Sequence, residues 1–196
     1  FFYTPTPPSA ILSGLVGSEM CIRDRPKVTV TLADERWVDA DHKDSNEKLV
    51  QENLLINEAH AARFMALKNL ASSASSGEVS IGQDLSTIGR FTVVILGMGD
   101  DGHTASLFPG SKTLSAGLDM ESGRQCLAVQ PLDAPYERMS MTLPRLLDSE
   151  QIIVHVSGEN KGKVLAMADA GEDPFELPIR AVLQQTTTPV VVYWAK

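Results

Sequence analysis

Phe91-Thr-Val-Val-Ile-Leu-Gly-Met-Gly-Asp-Asp-Gly-His103 joins a run of apolar and β-branched residues to a loop of glycines, aspartates and a histidine. A continuous apolar run bounded by glycine reads as a strand buried on both faces, which a parallel sheet covered by helices requires. The loop that follows then lies at the carboxyl end of that strand, where open α/β sheets bind small ligands.

The pattern repeats on either side. Val28-Thr-Val-Thr-Leu-Ala33 predicts a second buried strand over 28–33, stopping at Asp34-Glu35-Arg36 and leaving those charges at its carboxyl end. A helix is expected over 44–57, with Asp44 as its cap, Glu47 three residues on, and Leu49, Val50 and Leu54 on one face. A second helix is expected over 58–70, then a flexible loop at Ser72-Ser-Ala-Ser-Ser-Gly77 and a polar stretch to Arg90. Further on, the spacing predicts helices over 143–147, 160–167 and 177–184 and strands over 151–156 and 190–194. Alternating strands and helices argue for an α/β fold, a mostly parallel sheet with helices on both faces.

Composition narrows the function classes. The chain has 196 residues, 43% hydrophobic and 21% charged, close to the one-domain range. Its net charge of −8 disfavours a nucleic-acid surface, which needs clustered Lys and Arg. No apolar run is long enough for a spanning helix. Two distant cysteines, Cys21 and Cys126, make neither a disulfide framework nor a metal quartet, so the reducing cytoplasm is the expected compartment.

The first 26 residues differ from the rest. They hold four of the eleven prolines, show no sustained periodicity, and place no Lys or Arg before the apolar stretch Ala10 to Val16, as a secretory signal would. Gly17-Ser-Glu-Met-Cys-Ile-Arg-Asp-Arg25 resembles translated adapter sequence. Residues 1–26 are therefore expected to be a non-native or disordered leader, with 27–196 as the interpretable domain. Glu19 and Asp24 offset Arg23 and Arg25, so the acidic balance belongs to the body.

Gly97-x-Gly99-x-x-Gly102 satisfies the dinucleotide fingerprint, with Asp119 and Glu121 near the place of a ribose-binding acid. Two features oppose it. Asp100 and Asp101 would set negative charge beside a pyrophosphate, and Pro109-Gly110 arrives too early for the helix that would hold it. The other reading takes Asp101 and His103 as an acid–base pair at the mouth of the sheet, with Gly99 letting a ligand approach the backbone. A loop histidine beside a turn-forming aspartate explains the same residues without function.

The wider context favours chemistry. Leu96-Gly-Met-Gly-Asp-Asp-Gly-His-Thr-Ala-Ser-Leu-Phe-Pro-Gly110 closely resembles the signature loop of the 6-phosphogluconolactonase family. Asp34-Glu35-Arg36-Trp37-Val38 with Ser45-Asn46, Glu137-Arg138-Met-Ser-Met-Thr-Leu143, and Ser157-Gly158-Glu-Asn-Lys161 resemble it in the same order, as do Leu177-Pro178 and a last strand containing Trp194. The resemblance runs from about Val28 to the end of the chain. It implies a modified Rossmann-like sheet shared with the glucosamine-6-phosphate deaminases. Those relatives carry a Glu soon after the loop histidine; Thr104-Ala-Ser-Leu-Phe108 has none, which favours lactone hydrolysis over isomerisation.

The resemblance also implies roles. Hydrolysis of 6-phospho-D-glucono-1,5-lactone needs a positioned water, a base and a group to steady the oxyanion, with no cofactor and no metal. His103 is the expected base and Asp101 its orienting partner. Arg36 is expected at the carbonyl oxygen or the phosphate, and Asp34 and Gly99 in the substrate site. Arg138 and Lys161 match basic residues the family uses for the phosphate, and a cation in the first turn of a helix itself suggests an anion nearby. The structural alternatives are a surface ion pair of Arg36 with Glu35 or Asp39, a turn or helix cap at Asp34, and Arg138 on a solvated turn. Family members carry an earlier strand ending in a Gly-Gly-Ser/Thr phosphate loop, which the leader does not match, so the first strand and phosphate loop are expected to be missing. That leaves a deaminase and an inactive sugar-phosphate-binding fragment as alternatives. A monomer is expected for the native protein.

Overall fold

The structure, a computed structural model, describes residues 25–132 and 134–196. Nearly all of the expected leader, and the place of the expected missing strand and phosphate loop, lie outside the described residues; Arg25 and Pro26 belong to a 3-10 turn, Arg25–Lys27.

In chain order the strands are β1 (Thr29–Thr31), β2 (Asp34–Arg36), β3 (Arg63–Met65), β4 (Val94–Leu96), β5 (Cys126–Val129), β6 (Arg138–Met141), β7 (Ile152–Ser157) and β8 (Val190–Ala195). The α-helices are α1 (Asn46–Asn53), α2 (Ala74–Ser86), α3 (Leu114–Leu118), α4 (Leu143–Leu147), α5 (Glu159–Ala170) and α6 (Ile179–Leu183). β1 pairs in parallel with β3, and β4-β7-β8 form a second parallel sheet. β2-β6-β5 form a third sheet, antiparallel throughout. The fold is thus α/β and mostly parallel, with an antiparallel layer that periodicity did not reveal. Leu67, Leu85, Leu96, Met139, Leu146 and Ile152, from helices, strands and loops of the whole chain, meet in one core.

Several local expectations are corrected. The stretch 58–70 is a 3-10 turn, Asn57–Ala61, followed by β3. Its alanines favour a helix locally, but Met65 and Leu67 are buried at a period of two and the backbone pairs with β1, so tertiary pairing prevails. The supposed flexible loop after Leu70 supplies the start of α2. Ser73 caps it and Ser76 completes a capping box, while Glu137 Oε2 accepts from the Ala74 N–H at 2.8 Å. Gly77 lies inside α2 because a Cβ there would stand 2.5 Å from the Trp37 ring. α1 is capped by Ser45, not Asp44, and ends at Asn53. Asp34-Glu35-Arg36 is not a strand's trailing end but β2 itself, because residues more than a hundred positions later, in β6, supply its hydrogen-bonding partner.

The parallel register fixes where the loops emerge. Leu96 pairs with Val154, so the loop after β4 and the start of α5 after β7 lie on the same sheet edge. β7 continues from Val154 to Ser157, about 10 Å further, before Gly158 turns the chain at φ 97° into α5.

Candidate active site

The loop after β4 closes on itself. Gly99 N–H donates to the His103 carbonyl at 2.9 Å, and Gly102 N–H to the Gly99 carbonyl at 3.1 Å. Gly102 holds φ 75°, and its carbonyl accepts from Ile179 N–H at 2.9 Å, which ties the loop to the start of α6. The same turn brings Asp101 Oδ1 to 2.5 Å from His103 Nδ1 and to 3.2 Å from the His103 N–H. With a carboxylate accepting at Nδ1, the proton is held there and Nε2 is left as the basic nitrogen. Gly99 sits against this pair. A Cβ there would collide with the His103 ring and stand 2.5 Å from Asp101 Oδ1, so the glycine is required by the pair itself.

The loop is bolted to the antiparallel sheet. Ser106, fully buried, donates from Oγ to Asp34 Oδ2 at 2.6 Å and from N–H to Ser140 Oγ at 3.1 Å. Asp34 is therefore a strand residue gripping the loop after β4, not a turn or helix cap. The carboxylate that caps a helix is its neighbour Glu35, 1% exposed. It accepts from the N–H groups of Arg36, Asn46 and Glu47 at 2.8, 2.7 and 2.7 Å and from Ser45 Oγ at 3.1 Å, which fixes the start of α1 against β2. Burial, and then the Glu35 charge, push the Glu47 carboxyl above its ordinary range.

Two guanidinium groups lie side by side on this sheet. Arg36 and Arg138 are cross-strand partners in the β2–β6 register. Arg36 Nη1 donates to the Asp44 carbonyl at 3.1 Å and to Asn46 Oδ1 at 2.5 Å. Its expected surface pairs do not form: Glu35 takes the Arg36 backbone N–H, and Asp39 Oδ1 stands 3.8 Å from Lys68. Arg138 is not on a solvated turn. It is 9% exposed within β6, its side chain makes no hydrogen bond or ion pair with the described residues, and its Nε is buried without a partner. Burial lowers its pKa from the ordinary arginine value, and the Arg36 charge lowers it further. A bound anion would remove both penalties.

Phe108 joins the two halves. Its ring centroid is 4.3 Å from that of His103, and the Arg138 guanidinium stands 5.9 Å from it. His103 and Arg138 therefore share one aromatic contact. Lys161, half-buried in the first turn of α5, lies at the same sheet edge and forms no ion pair with the described residues, while no direct contact joins it to His103 or Arg138. Glu35, Asn46, Ser106 and Phe108 carry structural weight that sequence reasoning did not assign. All four stood within segments of family resemblance, but no periodicity or spacing gave them a role.

A buried nucleophile is absent from this constellation. Cys126 is buried on β5, and burial reinforced by Glu78 pushes its thiol up to about 12, so it stays protonated near neutrality. Among the described residues, no group of three or more His, Cys, Asp and Glu converges to hold a metal, and no helix is long and apolar enough to cross a membrane.

Comparison with known proteins bears on this geometry. The family model for glucosamine-6-phosphate isomerases/6-phosphogluconolactonase matches residues 6–194. The chain belongs to this family. Within it, the chain is 44% identical over 171 residues to a 6-phosphogluconolactonase of Pseudomonas putida, covering 87% of this chain and 69% of that one. It is 39% identical over 189 residues to a 6-phosphogluconolactonase of Rhizobium meliloti, covering 96% and 80%. The crystal structure of a 6-phosphogluconolactonase from Shewanella baltica superposes with a TM-score of 0.89 at 37% identity, covering 99% of this chain and 96% of that one. The modified Rossmann-like sheet of the glucosamine-6-phosphate isomerase/6-phosphogluconolactonase family is thus the fold of this chain, mostly parallel with its antiparallel layer beside the loop after β4.

Proposed function

We propose that this chain hydrolyses 6-phospho-D-glucono-1,5-lactone to 6-phosphogluconate, a reaction of the pentose phosphate pathway. The observation that carries the mechanism is Arg138, buried and without a hydrogen-bonding partner among the described residues, next to Arg36 and sharing its contact with Phe108 with the His103–Asp101 pair. That is a recessed anion site beside a base.

In this reading His103 Nε2 takes a proton from a water as its oxygen attacks the lactone carbonyl carbon. The carbonyl π electrons move to oxygen, and the oxyanion is steadied by Arg36. Collapse of the tetrahedral adduct breaks the bond between the carbonyl carbon and the ring oxygen. The imidazolium returns its proton to that oxygen, leaving the free acid and a hydroxyl. Asp101 keeps the proton on Nδ1 and supports the imidazolium. Arg138 and Lys161 hold the phosphate, Asp34 accepts from a sugar hydroxyl, and Gly99 leaves the room that the His103–Asp101 pair needs beside the substrate. The reaction needs no cofactor, nucleic acid or second subunit, and belongs in the cytoplasm.

Acid release from freshly generated lactone, corrected for its spontaneous hydrolysis, tests the proposal. His103→Ala is expected to lower kcat by about 10²- to 10⁴-fold. A wild-type chain no faster than the uncatalysed background, or a His103→Ala variant as fast as wild type, sinks it.

A further inference from the structure

We infer that Asn46 is a positioning residue of this reaction, whose single side-chain amide sets the Arg36 guanidinium and Asp34 relative to each other. The inference rests on the reading above, in which Arg36 meets a substrate oxygen.

Asn46 is the first residue of α1 and is held from both ends. Its backbone N–H, one of the donors a helix start leaves without an internal partner, goes to the buried Glu35 carboxylate at 2.7 Å. Its side-chain Oδ1 accepts from Arg36 Nη1 at 2.5 Å, and its Nδ2 donates to the Asp34 carbonyl at 2.8 Å, with Asp34 Oδ1 at 3.5 Å. The amide has one orientation. A guanidinium only donates and a carbonyl only accepts, so exchanging Oδ1 and Nδ2 would break both bonds.

Arg36 needs such a hold. Its cross-strand neighbour is Arg138, a like charge, and repulsion favours swinging the longer-reaching end of either side chain into water. Besides Asn46, the Arg36 side chain has the Asp44 carbonyl as its hydrogen-bonding partner. Both partners are neutral. An amide and a carbonyl orient the guanidinium while leaving its charge for a substrate oxygen, whereas a carboxylate in the place of Asn46 would hold it equally well and neutralise it.

That difference separates positioning from packing. Asn46→Ala and Asn46→Asp are made in the full chain, alone and with Arg36→Ala, and kcat, KM and melting temperature are measured on each. The Asp variant keeps an acceptor for Arg36 and an acid that suits the helix dipole, but it sets an oxygen against the Asp34 carbonyl, so kcat is compared only on variants that still melt cooperatively. Asn46→Asp is expected to melt somewhat lower than wild type and to lose about 10- to 100-fold in kcat, with a smaller change in KM. Asn46→Ala is expected to lose at least as much, and neither substitution to lower kcat further once Arg36 is Ala. Full activity of both single variants, or losses that persist undiminished in the Arg36→Ala background, overturn the inference while leaving the reading of Arg36 intact. An Arg36→Ala chain as active as wild type removes that reading, and the inference falls with it.

Discussion

Arg138 and Arg145 follow one another along the chain and are both buried, at 9% and 4% exposure, yet their surroundings are opposite. Arg145, on α4, donates from Nη1 to Asp148 Oδ2 at 2.9 Å and from Nη2 to the Ile88 and Gly89 carbonyls at 3.1 and 3.0 Å, and stands 3.9 Å over the Phe91 ring. Arg180, on α6, does the same with the Asp173 carbonyl, Glu176 Oε2 and the Met167 carbonyl. All three leave Nε unpaired, but only Arg138 of the three leaves its terminal nitrogens unpaired as well among the described residues. A buried guanidinium with carbonyl and carboxylate partners holds loops together. One with none is costly in the free protein, and is retained where a ligand supplies the missing charge.

The largest expected effect lies in that contrast. Arg138→Ala is expected to lower kcat/KM by about 10²- to 10³-fold with little change in melting temperature, since no hydrogen bond or ion pair with the described residues is lost. Arg145→Ala is expected to keep kcat/KM and to destabilise by about 1–2 kcal/mol, through the lost hydrogen bonds to Ile88, Gly89 and Asp148 and the lost packing on Phe91. Denaturant titrations and initial rates on both variants check this. Destabilisation by Arg138→Ala with full activity would reverse the comparison.

Inorganic phosphate sharpens it without a substrate. At a hundred times its dissociation constant it is expected to stabilise the wild-type chain by about 2.7 kcal/mol, read as a rise in melting temperature. The rise should vanish in Arg138→Ala and survive in Arg145→Lys. Equal rises in both would place the anion elsewhere.

Lys161 is the next step down. It is half-buried rather than buried, and a single ammonium makes a point contact rather than a fork, so Lys161→Ala is expected to raise KM by about tenfold with kcat little changed. A drop confined to kcat would move Lys161 from the phosphate to the reacting carbonyl.

The smallest effect concerns Cys126, a buried group that stays neutral where the arginines are charged. Its folded pKa of about 12 exceeds the unfolded thiol value of about 8.5, so the folded chain holds this proton longer. The resulting stability is fully present below the unfolded value and is lost as pH rises through the folded one. Melting curves from pH 8 upward should therefore fall less steeply in Cys126→Ala than in wild type. An unchanged slope would show the thiol to be more accessible than its burial implies.

Much of the sheet and part of the site were legible in the residue pattern. Val94 to Leu96 and Ile152 to Val156 announce themselves as buried strands because apolar β-branched runs carry that signal locally. His103 and Asp101 stood out because they follow such a strand in a glycine loop, and Gly99 with them. Other features were not legible, for identifiable reasons. The serines before α2 are polar whether they form a loop or a helix cap, and Glu137, more than sixty positions away, decides between the two. The charged triplet Asp34-Glu35-Arg36 has no strand signature at all; its pairing with Ser140, Met139 and Arg138 makes it one.

The buried strands β4, β7 and β8 and the glycine loop that carries Asp101 and His103 were thus legible in the sequence alone, because each depends on residues within a few positions of one another. The lack of a hydrogen-bonding partner for Arg138 among the described residues, the neutral grip of Asn46 on Arg36 and the bolt from Ser106 to Asp34 were decided only by the tertiary structure. Each is a statement about what lies beside a side chain, and packing brings those neighbours from β2, β6 and the loop after β4, segments that local pattern cannot bring into register.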